Sequence, residues 1–185
     1  GPHLCGIGGD LFAIVWDPTG GAVHCLNASG RAGSGASAEA LRAEGRTEMP
    51  FRHDVRSVTV PGCVDGWVTL HERFGSLPLA DLLEPARALA ADGFRTSPLL
   101  AHSIGVVDDA ARRNLAVLAD QATAPDATVR LPGVARTLAA IARDGRAGLY
   151  KGEFGSGLCE LSDGWITADD LATSQAEWVA PLSTD

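Results

Sequence analysis

A glycine-rich segment followed by two apolar runs is the feature that most constrains how this chain folds. The segment is Gly6–Asp10, and the first run, Leu11–Trp16, is rich in aromatic and β-branched residues. Such a run is typical of a strand that is buried on both faces. A turn signal at Asp17–Gly21 separates it from a second run, Ala22–Asn27, so we predict a β-hairpin with a five-residue loop.

The glycines of Gly6–Gly9 allow another part of the protein to approach the backbone closely. Tight packing against a neighbouring strand and a position beside a functional site both explain such a cluster. A dinucleotide-binding loop does not, because that loop follows a strand and opens a helix, whereas this segment precedes a strand.

Composition and charge exclude several classes of function. The chain has 185 residues, of which 45% are hydrophobic, enough for one domain with a sizeable core. Its net charge is −8 and Lys151 is its only lysine, so no basic stripe is present and we expect no nucleic-acid partner. No apolar run is long enough for a bilayer or resembles a signal peptide, so we expect no membrane association and a cytoplasmic location. The abrupt start at Gly1 nevertheless leaves a missing upstream segment open.

The four cysteines lie far apart and fit neither a zinc site nor a redox motif: Cys5, Cys25, Cys63 and Cys159. We therefore expect buried thiols that pack as small hydrophobes, with no bound metal and no cofactor.

Proline, glycine and capping signals place the helices. A helix is predicted from Gly62 to Phe74, a second begins near Pro85 and ends at Gly93, and a third runs from Pro132 to Gly145. Further predictions are an N-cap at Ser37, a strand over Arg56–Val60, turns at Gly155–Gly157 and a capping box at Thr167–Asp170. The small-residue stretch Ala28–Gly35 is either a loop with polar groups aimed into a cavity or a flexible surface connection.

No complete catalytic machine is visible in the residues themselves. No serine lies in a nucleophile elbow, and no cysteine and histidine form a recognisable local pattern. The acidic pair Asp169 and Asp170 is explained by the start of a helix.

Seven short motifs in a fixed order nevertheless resemble the γ-glutamyltranspeptidase superfamily. Each is modest alone, but together they span nearly the whole chain: Gly6–Phe12, Ser57–Gly66, Phe74–Pro78, Leu83–Ala86, Ala91–Phe94, Leu149–Gly152 and Trp165–Leu171. The resemblance implies an N-terminal-nucleophile (Ntn) hydrolase, an α+β sandwich of αββα architecture. This chain would supply part of the sheets and most of the outer helices.

The resemblance also implies a partner. Members of this superfamily cut themselves into a large and a small subunit, and the new N-terminal threonine of the small subunit is both nucleophile and base. We therefore expect residues 1–185 to form a single large-subunit domain, incomplete at both ends, with no catalytic residue of its own. A small subunit from the same precursor would complete it, and a dimer of such heterodimers is compatible with the resemblance.

One departure from the pattern bears on the substrate. The arginine that holds the α-carboxylate in γ-glutamyl enzymes aligns with Ser29, and losing a guanidinium there removes a bidentate, charge-assisted pair. Arg31 lies two residues on, and strand alternation would keep it on the same face as a displaced anchor. Asn27, Ser29 and Arg31 are thus the predicted substrate-binding residues of an acylase-like branch. The backbone of Gly8, Gly9 and Asp10 is expected beside the nucleophile.

Three functional hypotheses remain open from the sequence. The first is the large subunit of an acylase that cleaves a small-molecule amide or acyl bond, with a C–C bond hydrolase of antibiotic biosynthesis as a variant of the same machine. The second is a true γ-glutamyltransferase or glutathione hydrolase, in which Arg31 replaces the missing arginine. The third is a non-catalytic scaffold subunit.

Overall fold

The chain folds as a mixture of strands and short helices, which confirms the predicted α+β class. The computed structural model describes residues 5–50 and 54–183. Within these ranges the strands are β1 (Leu11–Asp17), β2 (Ala22–Ala28), β3 (Phe94–Arg95), β4 (Thr128–Val129) and β5 (Glu177–Val179). The helices of the same ranges are α1 (Ala38–Ala43), α2 (Cys63–Phe74), α3 (Leu79–Asp92), α4 (Pro98–Gly105), α5 (Asp109–Asn114), α6 (Ala116–Ala119), α7 (Pro132–Asp144), α8 (Arg146–Tyr150), α9 (Glu153–Ser162) and α10 (Ala168–Ala172).

The predicted hairpin is present and supplies two of the three strands of a sheet in the described part of the chain, with β2 in the middle. β1 and β2 pair antiparallel along their whole length, with Ile14 opposite Cys25, and β5 adds antiparallel to the other edge of β2. β3 and β4 form a separate two-stranded pair. The hairpin turn includes Gly21, whose φ of 60° is a conformation that glycine adopts without strain.

The two faces of the three-stranded sheet differ sharply. One face carries Leu26 and Ala28 and packs against α2, where Gly66 lies so close that a Cβ atom would be 2.9 Å from the Ala28 side chain. The opposite face leaves Phe12, Ile14 and Trp16 between 60% and 80% exposed. The prediction that β1 is buried on both faces is therefore wrong for the described chain, because the described residues supply a helical layer on one side only.

Two apolar clusters hold the helices together. The larger joins α2, α7, α8 and α10 and contains Val60, Val64, Ile141, Leu149, Tyr150, Ile166 and Leu171. The smaller lies under α4, α6 and β4 and contains Leu100, Ile104, Leu118, Ala119, Ala122 and Val129. No helix in the described parts of the chain combines the length and apolar character needed to cross a membrane.

Most helix boundaries follow the predicted signals. α2 and α7 span the predicted residues, and α3 ends at Gly93 with a φ of 106°. The Ser37 side chain accepts a hydrogen bond from the Ala40 N–H, and Thr167 and Asp170 form the full capping box. Local side-chain chemistry is sufficient at these positions, which explains why they were predictable.

Three local predictions are wrong. Val55–Ser57 forms a 3₁₀ turn in place of a strand, because the Asp54 carboxylate accepts from both the Arg56 N–H and its guanidinium. Pro85 lies inside α3, which begins at Leu79 and packs along α7, so tertiary packing outweighs the breaker signal. Gly155 lies within α9, where a Cβ atom would come within 2.1 Å of the Tyr150 carbonyl oxygen, so close helix packing explains this glycine better than a turn.

The cysteines follow the buried-thiol prediction only in part. All four are free; Cys63 is buried, Cys25 and Cys159 are half-buried, and Cys5 is exposed.

Candidate active-site loop

The loop Ser29–Arg31 follows β2 directly and is fixed by side chains from three places in the chain. The Ser29 N–H donates to the Asn27 side chain at 2.9 Å, and the Gly30 N–H donates to the Asp10 carboxylate at 3.1 Å. The Arg31 N–H donates to the Gln175 amide oxygen at 3.2 Å. Three successive backbone donors thus each have a side-chain acceptor, which holds the loop in one conformation.

Close backbone packing restrains the wider stretch Ala28–Gly35. A Cβ atom would lie 1.8 Å from the Val60 carbonyl oxygen at Gly30, 2.1 Å from that of Trp165 at Gly33, and 2.0 Å from that of Gly164 at Gly35. Only glycine fits where two backbones approach so closely. A flexible surface connection, one of the two explanations open from the sequence, is therefore wrong.

Arg31 combines a fixed backbone with an exposed side chain. Its carbonyl oxygen accepts from the Val60 N–H at 2.9 Å, so both backbone polar groups of Arg31 are held. Its guanidinium is 72% exposed and lies 3.7 Å from the Glu177 carboxylate, an ion pair of at most about 1 kcal/mol at this exposure. β2 ends at Ala28, so strand alternation does not relate Arg31 to Ser29, and that part of the sequence argument is wrong.

Asn27 places the loop at the edge of the exposed sheet face. It lies opposite Phe12 in β1 and opposite Glu177 in β5, and directly opposed residues share one face of a sheet. Asn27, Glu177 and the exposed apolar side chains of β1 therefore belong to a single surface. Asn27, Ser29 and Arg31 lie along one short stretch at the end of β2, and their binding role stays a prediction.

The segment Gly8–Asp10 connects this loop to the start of α2. The Gly9 carbonyl oxygen accepts from the N–H groups of Gly62 and Cys63, and so satisfies donors that a helix start leaves unpaired. A Cβ atom at Gly9 would meet nothing within 4 Å, and one at Gly8 would meet only the Phe154 ring at 3.7 Å. Packing within the described residues therefore does not require these two glycines.

An apolar groove of about 820 Å³ opens beside this segment. Its walls come from α2, α3 and α7 together with the backbone before β1, and include Gly9, Asp10, Cys63, Trp67, Leu89 and Leu138. Asp10 therefore lines the groove and also accepts a hydrogen bond from the Gly30 N–H.

A buried carboxylate anchors the C-terminal segment behind the loop. Asp65 is 2% exposed and lies in the first turn of α2, where the helix dipole favours negative charge. It accepts from the Arg146 guanidinium and the Ser174 hydroxyl, both at 2.9 Å, and from the backbone N–H groups of Gln175 and Ala176. Arg146 also stacks on the Tyr150 ring, 4.3 Å from its centroid.

The titratable groups near the start of α2 are poor nucleophiles. Burial, followed by the negative charge of Asp10, raises the pKa of the Cys63 thiol, which therefore stays protonated at neutral pH. Burial and the nearby Asp65 raise the pKa of Tyr150 to about 12, and its hydroxyl donates to the Pro61 carbonyl oxygen at 2.5 Å. Within residues 5–50 and 54–183, no group of three or more histidine, cysteine or acidic side chains is arranged to hold a metal ion.

Gln175 and Asp65 were missed as parts of this site. Asp65 carries no local signal beyond an acidic residue at a helix start. Gln175 lies 144 residues from Arg31, in a stretch without periodicity, and only the folded chain joins the two.

Known proteins match the chain along its whole length. A family model described as gamma-glutamyltranspeptidase matches residues 1–185. The glutathione hydrolase-like YwrD proenzyme of Bacillus subtilis is 32% identical over 198 residues, covering 100% of this chain and 36% of the relative. The oxamate amidohydrolase proenzyme of Klebsiella pneumoniae is 32% identical over 195 residues, covering 98% of this chain and 36% of the relative.

Solved structures agree with the sequence matches. The cephalosporin acylase of Bacillus halodurans superposes with a TM-score of 0.85 at 34% identity, covering 97% of this chain and 36% of that protein. This likeness confirms the predicted fold. The chain spans little more than a third of the length of these relatives.

Proposed function

Because this chain belongs to the γ-glutamyltranspeptidase family of Ntn-type hydrolases and transferases, we propose that it is the large subunit of an acylase-like enzyme. A threonine at the N-terminus of a small subunit would supply the reacting group. The observation that supports this assignment is the loop Ser29–Arg31, whose backbone is fixed while the Arg31 guanidinium is exposed and paired only with an exposed carboxylate, so that it is accessible to an anion.

The proposed reaction divides the work between two polypeptides. The threonine hydroxyl would attack the acyl carbonyl, its proton passing to the threonine's own α-amine, and the amine leaving group would depart with that proton. Water would then hydrolyse the acyl-enzyme. On this chain, Arg31 would pair with a carboxylate of the acyl group, and Asn27 and Ser29 would shape the pocket beside it. The Gly8–Asp10 backbone would lie next to the threonine.

The exposed face of the sheet supports a partner. Phe12, Ile14 and Trp16 form an apolar row that in a monomer would meet water, and contiguous exposed apolar surface marks an interaction site. We propose that a sheet of the small subunit packs on this row and completes the sandwich, with its threonine near Asn27. Residues 1–185 would then be one large-subunit domain that is incomplete without its partner. A cytoplasmic location and a dimer of heterodimers stay predictions.

Processing of the complete precursor tests the mechanism. We expect two polypeptides after expression, the second beginning with Thr, as read by intact mass and N-terminal sequencing. Replacing that threonine with alanine should block both cleavage and turnover. A single uncut chain with full activity would contradict the proposal.

A γ-glutamyl enzyme is the second candidate, because Arg31 and Glu177 together present both charges that an α-amino acid head group requires. Turnover of γ-glutamyl-p-nitroanilide separates the candidates when it is compared with glutaryl-p-nitroanilide, which has the carboxylate but not the ammonium group. An acylase should prefer the glutaryl compound, and a γ-glutamyl enzyme the other. Inactivity towards every amide tested, with intact self-cleavage, would favour a C–C bond hydrolase, and a small subunit without its threonine would favour a scaffold.

A further inference from the structure

Gln175 is a buried polar residue whose side chain and backbone N–H both form hydrogen bonds. It is 5% exposed. Its side-chain nitrogen donates to the Thr173 carbonyl oxygen at 3.0 Å, its backbone N–H donates to Asp65, and its side-chain oxygen accepts from the Arg31 N–H. A buried amide satisfied in this way has one orientation, because turning it would place two donors or two acceptors together.

These contacts form a chain that runs from the core to the active-site loop. Arg146 holds Asp65, Asp65 holds the backbone of Gln175, and the Gln175 side chain holds the backbone of Arg31. Among the described residues the Arg31 guanidinium has one ion-pair partner, Glu177, which is itself 64% exposed and therefore holds it weakly. The direction in which the arginine leaves the backbone is therefore set by its peptide, and Gln175 holds the N–H of that residue.

We propose that Gln175 is a positioning residue that sets the carboxylate preference of the enzyme by fixing the Arg31 peptide. The inference rests on the proposed role of Arg31 as the substrate anchor. It identifies Gln175 as the residue that makes this anchor selective for a carboxylate. When the Arg31 backbone is loosened, its guanidinium samples many positions. An anionic substrate must then immobilise the guanidinium on binding, and this costs binding free energy.

A methionine substitution removes both side-chain hydrogen bonds of Gln175, the one from the Arg31 N–H and the one to the Thr173 carbonyl oxygen, with little change in side-chain size. Gln121 supplies a matched control. Its side-chain oxygen also accepts from the backbone N–H of an arginine, Arg130, at 2.9 Å, but at a site away from the loop. Both variants are made in the complete precursor, and both are compared with the parent enzyme after processing.

Hydrogen exchange read by mass spectrometry gives the first result. In Gln175→Met the peptide containing Arg31 should exchange about tenfold faster, since one protecting hydrogen bond is lost. In Gln121→Met that peptide should be unchanged and the peptide containing Arg130 should exchange faster. Unchanged exchange at Arg31 in Gln175→Met would overturn the inference without affecting the proposed function.

Kinetics with two anilides give the second result. Glutaryl-p-nitroanilide carries the carboxylate, and pentanoyl-p-nitroanilide is its neutral counterpart. In Gln175→Met we expect KM for the glutaryl compound to rise about fivefold, with kcat and the pentanoyl kinetics within about twofold of the parent. An equal loss on both anilides would show a merely structural role and overturn the inference. An unchanged preference in Arg31→Ala would instead overturn the anchor on which it rests.

Discussion

The two loops at the ends of β2 are fixed in different ways. At its start, the turn Asp17–Gly21 is held from within, by the Asp17 carboxylate accepting from the Thr19 N–H two residues away. At its end, the loop Ser29–Arg31 is held by Asp10, 20 residues away, and by Gln175, 144 residues away. The first loop only reverses the chain, whereas the second places a guanidinium. Long-range contacts are what fix a side chain relative to the rest of a site.

Of the changes that test the difference between the two loops, removing the Asp65 carboxylate should lower the free energy of unfolding most. In Asp65→Ala, Arg146 and three donors of the Ser174–Ala176 segment lose a buried acceptor, so we expect about 3–5 kcal/mol less free energy of unfolding. Urea unfolding monitored by circular dichroism measures it. Asp17→Ala, at the self-contained loop, is the control and should lose far less; equal losses would mean that the two ends are held alike.

Adding a methyl group at Gly30 should have the next largest effect. The new Cβ of Gly30→Ala would lie 1.8 Å from the Val60 carbonyl oxygen, so the backbones must separate and stability should fall by about 1–3 kcal/mol. At Gly20 a Cβ would meet only the flexible Asp17 carboxylate, at 2.8 Å, which can move away. Gly20→Ala should therefore change the free energy of unfolding little in the same urea experiment. A loss as large as that of Gly30→Ala would contradict the difference between the two loops.

Replacing Arg31 with alanine should separate function from stability. We expect KM for glutaryl-p-nitroanilide to rise about tenfold, because a charge-assisted pair with the substrate is lost. The free energy of unfolding should change by less than about 1 kcal/mol, since the guanidinium is 72% exposed. Arg143→Ala, which removes an arginine paired with its neighbour Asp144 at the end of α7, should change neither quantity. If KM rose as much in Arg143→Ala as in Arg31→Ala, Arg31 would not be a specific anchor.

The smallest predicted effect is a pH dependence at the self-contained loop. Backbone donors at Gly20 and Thr19 lower the pKa of Asp17 below its usual 3.8. The folded state therefore holds its proton less tightly than the unfolded state, and the stabilisation is present above pH 3.8 and fades as the pH falls through the folded pKa. Unfolding at pH 6 and pH 3 should show a smaller acid loss in Asp17→Asn than in the parent, and identical losses would refute the assignment.

The difference between local and long-range contacts also explains which features the sequence could predict. The hairpin, the Ser37 cap and the capping box at Thr167 depend on residues within a few positions, so local patterns were sufficient. The grouping of Asn27, Ser29 and Arg31 was also predictable, because it follows from adjacency at the end of one strand.

The parts that the sequence did not reveal depend on distant segments. The glycines at Gly155–Gly157 locally indicate a turn. The real reason for Gly155, its closeness to the Tyr150 carbonyl oxygen, depends on the packing of α9 on α8 and is not visible in the local sequence. Gln175 carries no signal of its own, since its partners Asp65 and Arg31 lie more than a hundred residues away. The exposed face of β1 was expected to be buried, and the described residues contain only the helical layer on its other side.

We have proposed that Arg31 anchors an anionic acyl group at the junction with a second polypeptide. A crystal structure of the complete, processed protein with glutarate bound tests it most directly. We expect one glutarate carboxylate about 3 Å from the Arg31 guanidinium nitrogens, and the other facing an N-terminal threonine of the second polypeptide. Glutarate bound away from Arg31, or a second polypeptide that leaves Phe12, Ile14 and Trp16 in solvent, would contradict it.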